Sequence, residues 1–237
     1  MNKKISIILC TYNEVNHIEE TLKLIFDTLK NVEVIVIDDN STDGTIEKLN
    51  KLKLKLTFKL IVRKNERGLA SAHKRGFDES TGDYVGTVDV NSKDQILYFS
   101  NLVNKLNDGY DLAVLSRYIV GGGDERIFVR SFASWIINFV SRLFLRIPFK
   151  DFTSGIFLMK KELLKYSGII TKGYAEWFIE FVYLVYKNKY KIIEIPYIQK
   201  KDKNLSVSKS YPNIITFLYL GSIYFYRIIL TIIRNKD

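Results

Sequence analysis

At 237 residues, with 47% hydrophobic and 14% aromatic side chains, the chain can fill one sizeable core, which excludes disorder. Its 36 Lys and Arg against 26 Asp and Glu leave a formal charge of +10, which points to anionic partners such as a phosphorylated substrate or an acidic membrane surface. The single cysteine, Cys10, excludes an intramolecular disulfide, and the lack of any Cys/His cluster excludes a structural zinc site.

Residues 5–9 are a short β-branched run, read as a buried strand. The apolar run to Cys10 is too short for a signal peptide, so a reducing cytoplasmic setting is expected. After Asn13 a helical pattern puts Ile18, Leu22, Ile25 and Leu29 on one side. Residues 33–37 form a second strand, and a helix through Ile46 and Leu49 follows the Asp43-Gly44 turn. Residues 56–62 are a third strand. Residues 69–79 are helical and stop at Thr81-Gly82, residues 84–88 are a fourth strand and 111–115 a fifth. This alternation predicts an α/β fold with a mostly parallel sheet covered by helices, whose ligands sit at the carboxyl ends of the strands.

Gly121-Gly122-Gly123 divides the chain into a half at 1–120 and a half at 121–210. Residues 128–149 read as a basic amphipathic helix carrying Arg130, Arg142 and Arg146, set either against the core or against a membrane. Residues 172–186 are a further helix, 191–195 a strand closed by Pro196, and 200–209 a polar loop. The tail, 211–237, is apolar from 213 to 233 apart from Arg227 and a few small polar residues. As a helix that stretch is about 31 Å long, near the ~30 Å hydrocarbon thickness. Three placements stay open: a span, a helix at the membrane interface, or a helix packed on the protein.

Four polar clusters end strands. Asp38-Asp39-Asn40-Ser41-Thr42-Asp43-Gly44-Thr45 offers two carboxylates and then a turn; one Asp can bind ligand while Asp43 and Thr42 cap the next helix. Asp89-Val90-Asn91 puts two oxygen ligands on the same side of an extended chain, suited to Mg²⁺ or Mn²⁺ against a diphosphate. Ser116-Arg117 ends the fifth strand. Thr11-Tyr12-Asn13-Glu14 ends the first, where a base and ribose edge can lie. No recognised nucleic-acid module is present, so no nucleic-acid partner is expected.

The span through Asp43-Gly44-Thr45 resembles family 2 glycosyltransferases of the GT-A fold. Asn65-x-x-Gly68-Leu69-Ala70-x-Ala72, Gly76, Thr81-Gly82-Asp83-Tyr84 and Ser116-Arg117-Tyr118 extend the match. Asp151-Phe152-Thr153-Ser154-Gly155, Lys172-Gly173-Tyr174, Glu194-Ile195-Pro196 and Ser208-Lys209 make it similar to the dolichol-phosphate and polyprenyl-phosphate branch. The resemblance covers roughly residues 4 to 210. It implies inverting transfer of a hexose from a donor of the GDP-mannose or UDP-glucose type to a polyprenyl or dolichyl phosphate, at the cytoplasmic face of a membrane.

In that likeness Thr11, Tyr12, Glu14 and Asp39 contact the nucleoside, and Asp89 and Asn91 fall at a D-x-D metal motif. Arg117, Arg130 and Lys203 face donor or acceptor phosphates, and Ser208 and Lys209 close the acceptor side. Asp151 and Glu180 either shape the acceptor pocket or pair with those arginines. The chain departs from the pattern in having Asn91 as the second acid and Lys93 two residues on. Weakened metal use, a metal-independent site with Lys93 near the diphosphate, and lost activity are the three consequences considered. Two rival readings are a transferase acting on a glycan hydroxyl, with Asp151 as base, and a non-catalytic binding subunit.

Overall fold

β1 (Ile5–Thr11) is buried along almost its whole length, as a strand flanked on both edges and both faces must be. Its side chains alternate between two cores. Ile5, Ile7 and Leu9 join one apolar cluster; Ile8 and Cys10 face the other. The computed structural model describes residues 3–91, 93–170, 173–201 and 214–235, with side chains described throughout except at 214–218 and 220.

β1 pairs in parallel with β2 (Val32–Asp38), from Ile5 opposite Val32 to Thr11 opposite Asp38. β3 (Lys59–Val62) pairs with β2, and β4 (Tyr84–Thr87) with the other edge of β1. β5 (Leu112–Ser116) and β8 (Ile192–Pro196) extend the sheet. Between β4 and β5 lies β7 (Phe157–Lys160), antiparallel to both. Among the described residues the main sheet has seven strands in the order β3-β2-β1-β4-β7-β5-β8. Strands from beyond Gly123 therefore complete the sheet begun before it. A second, two-stranded sheet joins β6 (Gly123–Asp124) to β9 (Ile198–Gln199).

Helices α1 (Ile18–Thr28), α2 (Thr45–Leu52), the short α4 (Lys93–Ile96) and α5 (Phe99–Asn107) cover one face. On α1 the predicted stripe is the buried one: Ile18, Leu22 and Ile25, with Leu29 at its end. The other face carries α3 (Leu69–Asp78), α6 (Phe128–Leu145), α7 (Trp177–Lys187) and α8 (Ile214–Arg234). Gly76 lets α3 approach β1 closely, since a Cβ there would run into Ile8.

Three boundaries differ from the sequence expectation: the basic helix expected to run to 149 ends at Leu145, where Arg146 takes a φ of +54°. The third strand starts at Lys59 rather than 56, because the Lys55 and Leu56 amides turn back onto the Leu52 carbonyl at the end of α2. The helix expected from 172 starts at Trp177, after Gly173 takes a φ of +137°.

The tail is helical as expected, and one side of it packs on the protein. Arg227, Ile228 and Thr231 are buried, with Arg227 paired to α7. The placement that sets Arg227 in hydrocarbon does not match this contact. Tyr219, Phe225, Tyr226, Ile229 and Ile233 remain exposed on α8.

His73 of α3 lies beside Phe77 and edge-on to Trp177, with ring centroids 5.9 Å apart in the second case. Burial, and then the charge of Arg63, pull its pKa from 6.5 down to about 4. The unfolded chain takes up this proton as pH falls below 6.5; the folded chain resists until about 4. Stability from this group is thus complete above the unfolded value and is lost as pH drops through that window, by up to about 3 kcal/mol. Urea midpoints for the wild type should fall more steeply from about pH 7 to about pH 4 than those of His73→Leu. Parallel slopes would remove His73 from the acid response.

Candidate active site

The strand ends converge where β1, β2 and β4 finish. The loop after β1 is locked to the loop after β2 by side-chain hydrogen bonds. Thr11 Oγ1 donates to Asp38 Oδ2 at 2.7 Å, and Asp38 also accepts the Ser41 amide at 2.8 Å and hydroxyl at 2.6 Å. The Asn13 amide donates to Ser41 Oγ (2.8 Å) and the Glu14 amide to Thr45 Oγ1 (2.8 Å). Asp43 accepts the Thr45 amide at 3.0 Å at the start of α2, so its capping role holds. Thr11 and Asp38 are both buried, so they build the loop from beneath. Thr11 thus directs its hydroxyl at Asp38.

Asp39 follows the end of β2 with its carboxylate fixed. Arg63, directly after β3, donates through Nε at 2.7 Å and pairs through Nη2, and the Gly68 amide donates at 2.8 Å. Each carboxylate oxygen accepts about two hydrogen bonds, so capacity remains for a ligand. Arg67 lies 3.9 Å over the Tyr12 ring, a flat cationic and aromatic surface one residue beyond β1.

Asp89 and Asn91 are both exposed on either side of buried Val90, whose carbonyl the Thr21 hydroxyl holds at 2.5 Å. Although Asp89 meets solvent, protein crowds its carboxylate from several sides. That crowding, then the negative charge of Glu14, raises its pKa, while Arg130, Arg126 and Arg117 draw it back. Cys10, between the neighbouring strand ends, reports the same convergence. Its thiol is pushed up by burial and then by Asp39, against Arg63, with Asp89 adding further. Asp39 and Asp89 therefore share one region with the arginines after β5.

Those arginines are not equivalent. Arg117 is locked to Asp151: its backbone amide and Nε donate to Oδ2 at 2.9 and 2.8 Å, and Nη2 donates to Oδ1 at 2.6 Å. Nη2 also reaches Thr153 at 2.7 Å, and Nη1 lies 3.6 Å from Asp124. Burial alone would lower the Arg117 pKa, yet Asp151 holds it well above its ordinary value. Arg117 is thus a buried ion-pair partner of Asp151 that lends its field to Asp89. Asp151, wholly buried, follows the ion-pair expectation.

Arg126 was not singled out in the sequence. It pairs with Asp124 at 2.6 Å, donates to Ser134 at 2.9 Å and faces Asp89 electrostatically. Arg130, in the first turn of α6, is partly buried. Lys93 begins α4 and pairs with Glu20 of α1, so its charge is shared with that carboxylate. Glu180 makes a structural ion pair, binding Arg227 at 2.8 Å between α7 and α8. Lys203, Ser208 and Lys209 lie outside the described residues.

The pronounced surface hollows lie elsewhere. One runs between α5 and β8 past Asn101, Asn104 and Pro196; the other lies beside Lys48 and Leu52 of α2. Both are shallow, and neither contains the strand-end carboxylates, so charge convergence rather than cavity shape places the site. Among the described residues no group of three His, Cys, Asp or Glu is arranged to hold a metal.

Comparison with known proteins agrees with this fold. A family model, glycosyl transferase family 2, matches residues 6–168, and the chain belongs to that family. It is 35% identical over 200 residues to the dolichol-phosphate mannosyltransferase of Pyrococcus furiosus, covering 82% of this chain and 56% of that protein. The chain thus spans little more than half the length of that relative. It is 28% identical over 212 residues to the polyprenol monophosphomannose synthase of Mycolicibacterium smegmatis, covering 86% and 79% respectively. Among solved structures, glucosyl-3-phosphoglycerate synthase of Mycobacterium tuberculosis with Mn²⁺, UDP and glucosyl-3-phosphoglycerate superposes with a TM-score of 0.73. That match covers 97% of this chain and 80% of the other at 17% identity, a likeness of fold. The fold is α/β of the GT-A type.

Proposed function

We propose that the chain moves a hexose from a nucleotide-diphosphate sugar, of the GDP-mannose or UDP-glucose type, onto a polyprenyl or dolichyl phosphate. The observation that carries this reading is Asp89 just beyond β4, exposed to solvent and inside the combined field of Glu14, Arg117, Arg126 and Arg130. Such a site suits a pyrophosphate and a second phosphate side by side. The names of the two relatives above support the lipid phosphate. So does the burial of Asp151: a glycan hydroxyl needs a base, and that candidate is bound to Arg117.

A phosphate acceptor is already anionic at neutral pH. Catalysis then rests on positioning and on stabilising the departing diphosphate, in one in-line displacement with inversion. Arg130 and Arg126 would lie toward the acceptor phosphate, with Tyr12, Glu14 and Asp39 toward the nucleoside.

The oxygen donors present fit a hard divalent cation. Asp89 supplies a carboxylate and Asn91 an amide oxygen, with diphosphate oxygens and water for the rest. Mg²⁺ or Mn²⁺, when bound, would neutralise charge on the leaving nucleotide. With Asn91 in place of an acid, we expect weaker metal affinity than two carboxylates give.

The lipid would be met at a membrane surface, on the cytoplasmic face. On α6, Phe128, Phe132, Trp135 and Phe139 form an exposed ladder of stacked rings 5.6, 6.1 and 5.5 Å apart, beside Arg130 and Arg142. α6 is also long and apolar enough to cross a bilayer by length and composition, with 22% of it buried. Its cations and one-sided packing favour lying in the interface.

A panel of GDP-mannose, UDP-glucose and UDP-N-acetyl sugars, assayed with a short polyprenyl phosphate with and without Mn²⁺, tests the reading. One donor should be used, and Mn²⁺ should raise the rate only at high concentration. With the acceptor in anionic vesicles, Phe132→Ser with Trp135→Ser should slow transfer, yet leave it intact on a water-soluble acceptor. Transfer to sugar hydroxyls alone would sink the lipid assignment.

A further inference from the structure

The tail helix is tied to the domain through buried charge. Arg227 of α8 reaches Glu180 at 2.8 Å and Glu176 at 3.9 Å, and donates to the Ile169 carbonyl at 3.4 Å. All three charged side chains are nearly inaccessible, so leaving either carboxylate without its cation is strongly unfavourable.

Glu176 continues the connection. It accepts the Tyr174 amide at 2.8 Å and fills the space above Gly173, where a Cβ would collide with its carboxylate. Gly173 itself has a φ of +137°, open to glycine and strained for other residues. Its carbonyl accepts the Ala70 amide at 3.2 Å, at the start of α3. Two residues earlier, Gly68 donates its amide to Asp39 Oδ2 at 2.8 Å, and its carbonyl accepts Arg63 Nη2 at 2.9 Å. A continuous run of polar contacts thus joins α8 to the carboxylate at the end of β2.

We propose that Arg227 is a positioning residue for the nucleotide end of the site. Docked α8 holds Glu176, Glu176 holds the Gly173 elbow, and the elbow holds the Gly68–Ala70 turn that fixes Asp39. The inference rests on the reading of Asp39 as a nucleoside contact. It goes further in making donor affinity depend on the seating of a helix whose outer face is apolar.

Hydrogen exchange and nucleotide binding on the full chain test it. Arg227→Met should speed exchange at the Gly68 and Ala70 amides. It should also weaken binding of GDP or UDP, whichever the wild type takes, by about tenfold. Arg227→Lys should recover most of both. Arg234→Met, removing a partly exposed arginine 3.4 Å from the same Glu180, should match the wild type in both. A purely structural contact would lower the melting temperature while leaving exchange at Gly68 and nucleotide affinity untouched well below it; that result overturns the inference. If Arg227→Met does not fold, Glu176→Gln carries the same expectation at Ala70, and unchanged exchange there overturns it equally. A wild-type chain that binds neither nucleotide overturns the glycosyltransferase reading, and this inference with it, whatever the exchange data show.

Discussion

Asp89→Asn should cut transfer by a factor of about 10² to 10³, the scale seen when one group that stabilises developing charge is removed. The substitution keeps shape and an oxygen donor, and takes away only the negative charge. Asp89 is exposed, so its replacement should move the melting temperature little. Activity lost without stability lost is the signature of a group acting on the reaction.

The pH profile sharpens this. The protein crowding Asp89 and then Glu14 raise its pKa, so the acid limb of kcat/KM should lie above that of an ordinary aspartate. Glu14→Gln removes a like charge and should move that limb to lower pH. Arg126→Met removes an opposing charge and should move it up. Full activity in Asp89→Asn, or an acid limb indifferent to both neighbours, would take Asp89 out of the chemistry.

The parts of this site that were legible in the sequence are those whose signals are local. β1, β2 and β4 are short buried runs, and a polar residue ending such a run sits at the sheet's carboxyl edge. Asp39, Asp89 and Asn91 could be placed there on that ground alone. β7 went unread because it is four residues long and owes its antiparallel place to the strands on either side. α5 carries a fair signal, Phe99, Leu102 and Leu106 on one face, which the periodicity of that stretch would have given.

Partnerships at long separation were beyond reach. Arg63 is a lone arginine after a weak strand, and only the folded chain brings Asp39 to it from 24 residues away. Glu180 was drawn toward the acceptor arginines by chemistry alone, whereas helix packing gives it Arg227, 47 residues on. Arg117 looked like a free cation at a strand end for the same reason: its counter-ion arrives 34 residues later.

That counter-ion gives the second large effect. Asp151→Ala should destabilise the fold by about 3–5 kcal/mol, because it takes from a buried guanidinium the carboxylate that makes its shortest ion pair. For a chain of this size that is a fall in melting temperature of about 10 °C. Removing the charge on both sides, with Arg117→Met and Asp151→Leu together, should recover much of the loss, since matched apolar side chains carry no unpaired charge. The same pair of measurements separates the two acceptor chemistries. A general base for a sugar hydroxyl would show its loss in kcat at a temperature where the protein is fully folded, with little change in stability. A buried clamp on Arg117 shows its loss first in stability, and the folded fraction of Asp151→Asn should retain transfer to a phosphate acceptor, which needs no base. If Asp151→Asn were instead stable and inert, the anionic acceptor would no longer be required by the site, and a hydroxyl acceptor would take its place.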